Sequence, residues 1–337
     1  MGGNVTLDEA SEEETQQSLK ELVNRVTTSF LVPPEETDLF ASFNNCTNFL
    51  RSPVQEIAEA FRANILGLVT MVSFPYTLAH TATIDKHYQR IISAERIRSL
   101  KLGKMPSESE ADLDERRKAI SYQLANERME EFVKSSEGAN SIIRGSLLFL
   151  EQSRNDNALS DSANELILQG VVLCWGALEV LIRDAFIILL NLDPNLIDNL
   201  VNDPIAKRRF DLGKIPIEIL SQHDFNLSGK MGDVLSQQQD LSDLQSIKAV
   251  YGAIFPRDEQ LRNSLSDEGL RILSQRRNLI VHRRGLIDDL YVKSVGGNQN
   301  ARERLKILPD ELEKDIHCSV VAASAVLMAV NSHIEKK

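Results

Sequence analysis

Six residues, Arg277-Asn278-Leu279-Ile280-Val281-His282, place an arginine, an amide and an imidazole within two turns of one predicted helix. Arginine grips phosphate through a planar fork of donors. Histidine takes and gives a proton near neutral pH, because its unperturbed pKa lies close by. Together these are the minimum equipment for cutting RNA without a metal ion. The imidazole moves protons and the guanidinium stabilises charge that grows on the scissile phosphate. Asn278 would orient His282 or donate to a phosphate oxygen.

The helix that must carry these groups is amphipathic. Starting at Leu270 and advancing about 100° per residue, Leu273, Ile280 and Val281 share one stripe with it. Arg277 falls in the middle of that stripe, where the pattern asks for a leucine. A charge on a buried face is expensive unless it is paired or reaches a cavity or an interface. Arg277 is therefore expected to face a polar pocket or a partner subunit. Asn278 and His282 stand four residues apart, stacked on one flank. A plainer reading competes: His282, Arg283 and Arg284 followed by Gly285 also form an ordinary helix stop, favourable to the helix dipole. That reading leaves Arg277, well before the end, unexplained.

Capping and breaking residues set out the other elements. Thr6 with Glu9 predicts the start of a first acidic helix that ends before Pro33-Pro34. Ser52-Pro53-Val54-Gln55 predicts a capped start with proline at the first helical position, for a helix running to about Val72. Another helix is expected over Ile84–Leu102, and Met105–Asp114 reads as a linker. A long charged helix is expected from Asp112 to Glu151, broken around Gly138. Ser162 with Glu165 opens the most apolar helix, to about Asn191. Its later charges are Glu179, Arg183 and Asp184; Glu179 and Arg183 stand i, i+4 and can pair with each other. The segment Pro194–Pro256 reads as short helices and loops, with Lys207-Arg208-Arg209 either a surface cluster or a secondary phosphate contact. Ser266 is expected to cap the Arg277 helix. Val295–Gln299 is expected to turn, and Leu312–Ile334 to form a final helix.

The chain has 337 residues, 42% of them hydrophobic, with only 16 Gly and 10 Pro. That supports a sizeable helical core. Cys46, Cys174 and Cys318 are odd in number and widely spaced, which suits a reducing cytosol and offers no disulfide framework. His80, His87, His223, His317 and His333 are scattered, so no metal or cofactor site is expected. The start is acidic and polar, unlike a secretory signal. Ala63–Ile84 and Ile316–Ile334 carry no charge, but Pro75, Thr and His residues in the first and His317, Asn331 and His333 in the second argue for buried bundle helices over membrane spans. A net charge of −11 disfavours a polyanionic partner, yet its distribution reverses the inference. Residues 1–40 carry a net of −7, whereas residues 271–306 carry +6 around the Arg277 helix. A basic patch there suits phosphate. Arg276, Arg283 and Arg284 are its candidate RNA contacts.

Gln275 to His282, followed by Gly285, Ile287, Asp288 and Tyr291, resembles the signature helix of the HEPN (higher eukaryotes and prokaryotes nucleotide-binding) domains, in their bacterial ribonuclease-toxin subgroup. The likeness covers Leu166–Ile334 and is concentrated in the signature. It implies an all-α, HEPN-like helical bundle over 113–337, with the signature helix near 266–284, preceded by a helical region 1–112 of no recognised type. It implies a metal-independent, cytoplasmic endoribonuclease that cleaves through the substrate's 2′-hydroxyl, with Arg277, Asn278 and His282 catalytic. Glu179 or Asp184 would be the acid of a preceding helix that orients them. Because one helix offers one histidine, the resemblance also implies a homodimer with a shared cleft. Its setting would be a toxin–antitoxin or phage-defence system with an antitoxin or other regulatory protein as partner. The alternatives are a non-catalytic HEPN module that binds RNA or a protein, and a helical adaptor that uses the acidic first region.

Overall fold

The computed structural model describes residues 17–209, 215–238, 241–296 and 300–336. The regular structure among them is helical, apart from one isolated bridge between Leu286 and Arg304, so the chain is all-α. In chain order the helices are α1 (17–26), α2 (Glu36–Leu39), α3 (Ala41–Thr47), α4 (Val54–Val72), α5 (Phe74–Ser99), α6 (Glu110–Lys134), α7 (Ser136–Ser153) and α8 (Asn157–Leu192). Short helices follow: α9 (Ile197–Asn202), α10 (Pro204–Arg209), α11 (Ile217–Gln222) and α12 (Met231–Gln238). The last five are α13 (Leu244–Ile254), α14 (Glu259–Leu265), α15 (Glu268–Arg283), α16 (Asp289–Val295) and α17 (Pro309–Glu335).

The chain divides into two compact units, and not at the expected boundary of residue 112. The first contains the described residues through Val32 together with Ser73–Ala163; the second contains Pro33–Val72 and everything from Asn164 onward. The expected linker 105–114 lies inside the first unit, where residues 105–109 complete the turn between α5 and α6 and 110–114 already belong to α6. Arg116 locks that turn: Nε and Nη2 donate to the Glu108 carboxylate at 2.7 and 2.9 Å, and Nη2 reaches the Gly103 carbonyl at 2.8 Å. Arg117 donates to the carbonyls of Leu100 and Leu102. A polar, serine-rich stretch looks like a linker in sequence, but these guanidinium bonds give it fixed partners.

In the first unit α5 packs against both α6 and α7. Leu22, Val26 and Phe30 close the core over Ala79, Leu147, Leu150 and Ala163. The expected break near Gly138 falls three residues earlier, at Ser135, whose ψ of 144° is extended and whose hydroxyl accepts from the Gly138 N–H. Gly138 itself lies within α7, where a Cβ would come within 1.8 Å of the Phe132 carbonyl oxygen. The glycine is thus the condition of that sharp corner. α4 ends at Val72 as expected, but the next helix starts at Phe74 rather than Ile84, with Pro75 in its first turn, where the missing N–H removes no helical bond.

The second unit is built around α17. Gly170 of α8 lies against Leu312, Cys174 Sγ against the Asp315 carbonyl at 3.6 Å, and Gly269 of α15 against Cys318. Advancing from 170 to 174 on α8 advances from 312 to 315 on α17, so these two helices run parallel. Between α15 and α17 the pairs 269–318 and 276–315 run in opposite order, so that pair is antiparallel. α17 is the one described helix long and apolar enough to cross a membrane by length and composition, and 72% of its most apolar stretch is buried. Ala63–Ile84 is not one segment; it is divided between α4 and α5 at Ser73.

Several helix starts shift by a few residues, because a carboxylate is the real cap. Asp267, not Ser266, caps α15, its Oδ1 accepting from the Leu270 N–H at 3.2 Å. Ser162 lies inside α8, its hydroxyl donating to the Ala158 carbonyl, and Asp156 caps that helix. α4 begins at Val54, after Pro53, and the Ser52 hydroxyl donates to Glu56. The Thr6–Glu9 start and the 297–299 part of the expected turn lie outside the described residues.

Candidate active site

α15 begins on the Asp267 cap and ends where Arg284 (φ 52°) and Gly285 (φ 74°) both take left-handed backbone. The N–H groups of both residues turn back to the Leu279 carbonyl, so the helix closes as the glycine stop anticipated. Beyond it, Gly285 and Ile287 pair with Leu305, Glu303 and Arg302 through backbone bonds of 2.7 to 2.9 Å. This short ladder frames α16, which Asp288 caps through the Tyr291 N–H at 2.8 Å. The signature thus rests on a tied-down end, with Gly285 against Leu305 and Leu168 of α8.

The buried stripe of α15 is Leu270, Leu273, Ser274, Arg276, Leu279 and Ile280. Relative to the expected stripe it is rotated, since Val281 is 48% exposed and Arg276, not Arg277, faces the core. Arg276 is 7% exposed and donates from Nη1 to Asp315 Oδ2 at 2.8 Å, with Nη2 on Glu311. It therefore cannot be the phosphate contact expected of it: its charge is already spent on two carboxylates of α17. Burial pushes the Asp315 carboxyl up to about 6 against the opposing pull of Arg276. Burial likewise raises the Tyr291 hydroxyl, which faces the same guanidinium. The expected charge on the apolar face is real, but one residue displaced. The signal for its partners was Glu311 and Asp315, one turn apart at the start of the final helix.

Arg277 points to α8 instead. Its Nη2 lies 3.5 Å from Glu179 Oε2, and its Nη1 donates to Asn278 Oδ1 at 3.1 Å. Both charged side chains are about a quarter exposed, at 22% and 25%. A pair a quarter open to water and 3.5 Å long contributes little as a structural brace; it holds the fork in place and leaves part of it reachable. Glu179 is thus brought to the arginine. Asp184 is not: it lies beside Arg183, at 3.3 Å, and its charge bears on the buried Tyr251 hydroxyl. Burial first, and then Asp184, raises that hydroxyl's pKa.

His282 sits on the last turn of α15, one turn beyond Asn278, and is exposed. Among the described residues it has no hydrogen-bond partner. Five residues separate it from Arg277, so the two Cα positions differ by about 140° around the axis. A single chain therefore presents the two groups on adjoining faces rather than face to face. Arg283 reaches Asp288 at 3.8 Å and is mostly exposed, while Arg284 is exposed at the left-handed corner. Both are exposed enough to meet phosphate, Arg283 despite its long pair with Asp288, unlike Arg276. Lys207 and Arg208 lie on α10, away from these bonds, with Arg208 donating to its own helix. Among the described residues no cluster of His, Cys, Asp or Glu could hold a metal ion.

Comparison with protein-family models, with curated proteins and with solved structures returned no match to this chain.

Proposed function

We propose that this chain is a metal-independent endoribonuclease of the HEPN type, acting as a homodimer through Arg277, Asn278 and His282. The observation that carries this reading is the partly exposed guanidinium of Arg277, held by Asn278 and by Glu179 of α8, on the same helix that presents an exposed His282. Arg277 holds the scissile phosphate and stabilises its growing negative charge. His282 removes the proton from the ribose 2′-hydroxyl, whose oxygen attacks phosphorus. The bond from phosphorus to the 5′-oxygen breaks, and that oxygen takes a proton from the partner's His282. The products are a 2′,3′-cyclic phosphate and a 5′-hydroxyl, with no net gain or loss of protons. The second imidazole must come from another copy, because each α15 carries one and acid–base chemistry uses two proton-handling groups. Val281, Leu286 and Leu290, exposed apolar residues within eight positions of His282 in the chain, suit such an interface.

Labelled RNA incubated with the full chain in EDTA tests the proposal. His282→Ala and Arg277→Ala should each slow cleavage by at least about a hundredfold, with circular dichroism unchanged. Cleavage that persists in both variants would remove the assignment. A second reading, a non-catalytic module that binds RNA or a protein, draws on the Glu179 contact, which already offsets the Arg277 charge. A mobility shift without cleavage in the wild-type chain would favour it. An unrestrained ribonuclease is toxic to its own cell, so the proposal includes control by a regulatory protein in a toxin–antitoxin or defence setting.

A further inference from the structure

The first unit holds a second feature, independent of the ribonuclease reading. A groove of about 480 Å³ runs between α5 and α7. Its depth comes from a close crossing, since a Cβ on Gly145 would lie 2.5 Å from Thr83 Cγ2, and Ser146 Oγ lies 3.3 Å from His80 Nδ1. The contacts 83–145 and 80–146 show the helices antiparallel, which sorts the lining by chemistry. Lys86 and Arg90, one turn apart on α5, lie toward the same end as Ser141 and Arg144 of α7. Ala82, Leu148, Phe149 and Gln152 line the other end. From Ser141 to Gln152 the groove spans about 16 Å along the helix.

No carboxylate lines this groove. Among the described residues the side chains of Lys86, Arg90 and Arg144 have neither an ion pair nor a hydrogen bond, although the chain carries a net charge of −11. His87, between the two α5 cations and packed 5.0 Å from the Phe132 ring, registers that unbalanced field. Its pKa is lowered by burial and then by Arg90 and Lys86. Phe149 and Leu148 are more than two-fifths exposed, an apolar surface left open at the far end. Cations at one end and an open aromatic face beside an amide at the other form a bipolar site of ordinary ligand size.

The geometry points to a nucleotide-binding site in the α5–α7 groove, with phosphates on Lys86, Arg90 and Arg144 and the base against Phe149 and Leu148. Guanidinium forks suit phosphate oxygens, an aromatic face suits a base, and the Gln152 amide offers both a donor and an acceptor to a base edge. An acyl chain would leave that amide unused.

Calorimetric titration of the full chain with ATP, inorganic pyrophosphate and a uridine oligonucleotide tests this. The expected result is one saturable ATP site, weakened at least about tenfold by Arg90→Glu combined with Arg144→Glu. Phe149→Ala should weaken ATP and leave pyrophosphate unchanged. His282→Ala should leave ATP binding intact, which separates this site from the ribonuclease. Four results would overturn the proposal: no saturable ATP binding at millimolar concentration, ATP no tighter than pyrophosphate, ATP binding indifferent to charge reversal, or an oligonucleotide preferred to ATP at this groove. Circular dichroism of the exposed-residue variants excludes unfolding as the cause.

Discussion

Arg276 and Asp315 meet at 2.8 Å with side chains only 9% and 3% exposed, and Glu311 completes the trio. Removing one member of a buried pair leaves the other charge uncompensated, at a cost of about 3 kcal/mol or more. Asp315→Asn should therefore lower unfolding stability by that order near neutral pH, measured by urea titration. The pH dependence follows from a carboxyl raised to about 6 in the folded state. Its unfolded pKa is about 3.9, so the folded chain holds this proton more tightly between the two values. Its contribution to stability is present below about pH 4 and is lost as pH rises toward 6. The penalty of Asp315→Asn should therefore grow as pH falls from about 7 to about 5, because only the wild-type chain gains from holding that proton when folded. A penalty constant across that range would contradict the assignment. Glu179→Gln probes the neighbouring pair: it should impair cleavage by loosening the Arg277 fork, with RNA binding kept or strengthened because a negative charge is gone.

At the scale of elements, the end of α15 decides where His282 stands. Gly285 has a φ of 74°, a conformation that costs an L side chain roughly 1–2 kcal/mol. Gly285→Ala should lower the melting temperature and reduce cleavage, whereas Arg284→Gly, which relieves a left-handed arginine, should raise stability. A Gly285→Ala chain as stable as wild type would show that the corner is not held as described. The corner between α6 and α7 gives a sharper case. A methyl at Gly138 meets the Phe132 carbonyl oxygen, so Gly138→Ala should unfold or reshape the first unit, seen as a loss of thermal cooperativity. Glycine at a helix end was readable in advance. Glycine at a crossing was not, because its role depends on what passes nearby.

For the whole molecule, the proposal requires two copies. Leu290, 72% exposed, is with Val281 and Leu286 one of three exposed apolar residues in the stretch that carries His282 and the start of α16. Leu290→Glu should shift the sedimentation coefficient from dimer to monomer and abolish cleavage, with helical content unchanged. Cleavage by a proven monomer would end the shared-cleft mechanism. The two units also answer a question that composition raised. The positive charge lies in two separate places, around the end of α15 and in the α5–α7 groove, while the chain as a whole is acidic. Net charge alone reports neither.

Helical character and the positions of most helices were legible in the chain's own sequence, whereas its periodicity put Arg277 on the apolar face and the fold buries Arg276 there. Those properties are local: periodicity, capping carboxylates and serines, and glycine stops act within a few residues of each other. Which arginine is buried was settled by packing, because α17 supplies Asp315 and Glu311 to Arg276 and turns the helix one residue away from the register its periodicity suggested. Packing also decided that Glu179 rather than Asp184 meets Arg277, and that residues 33–72 belong with the C-terminal unit. Each of those outcomes rests on partners tens to hundreds of residues apart. Their meeting is fixed by how whole helices pack, which no short window of sequence contains.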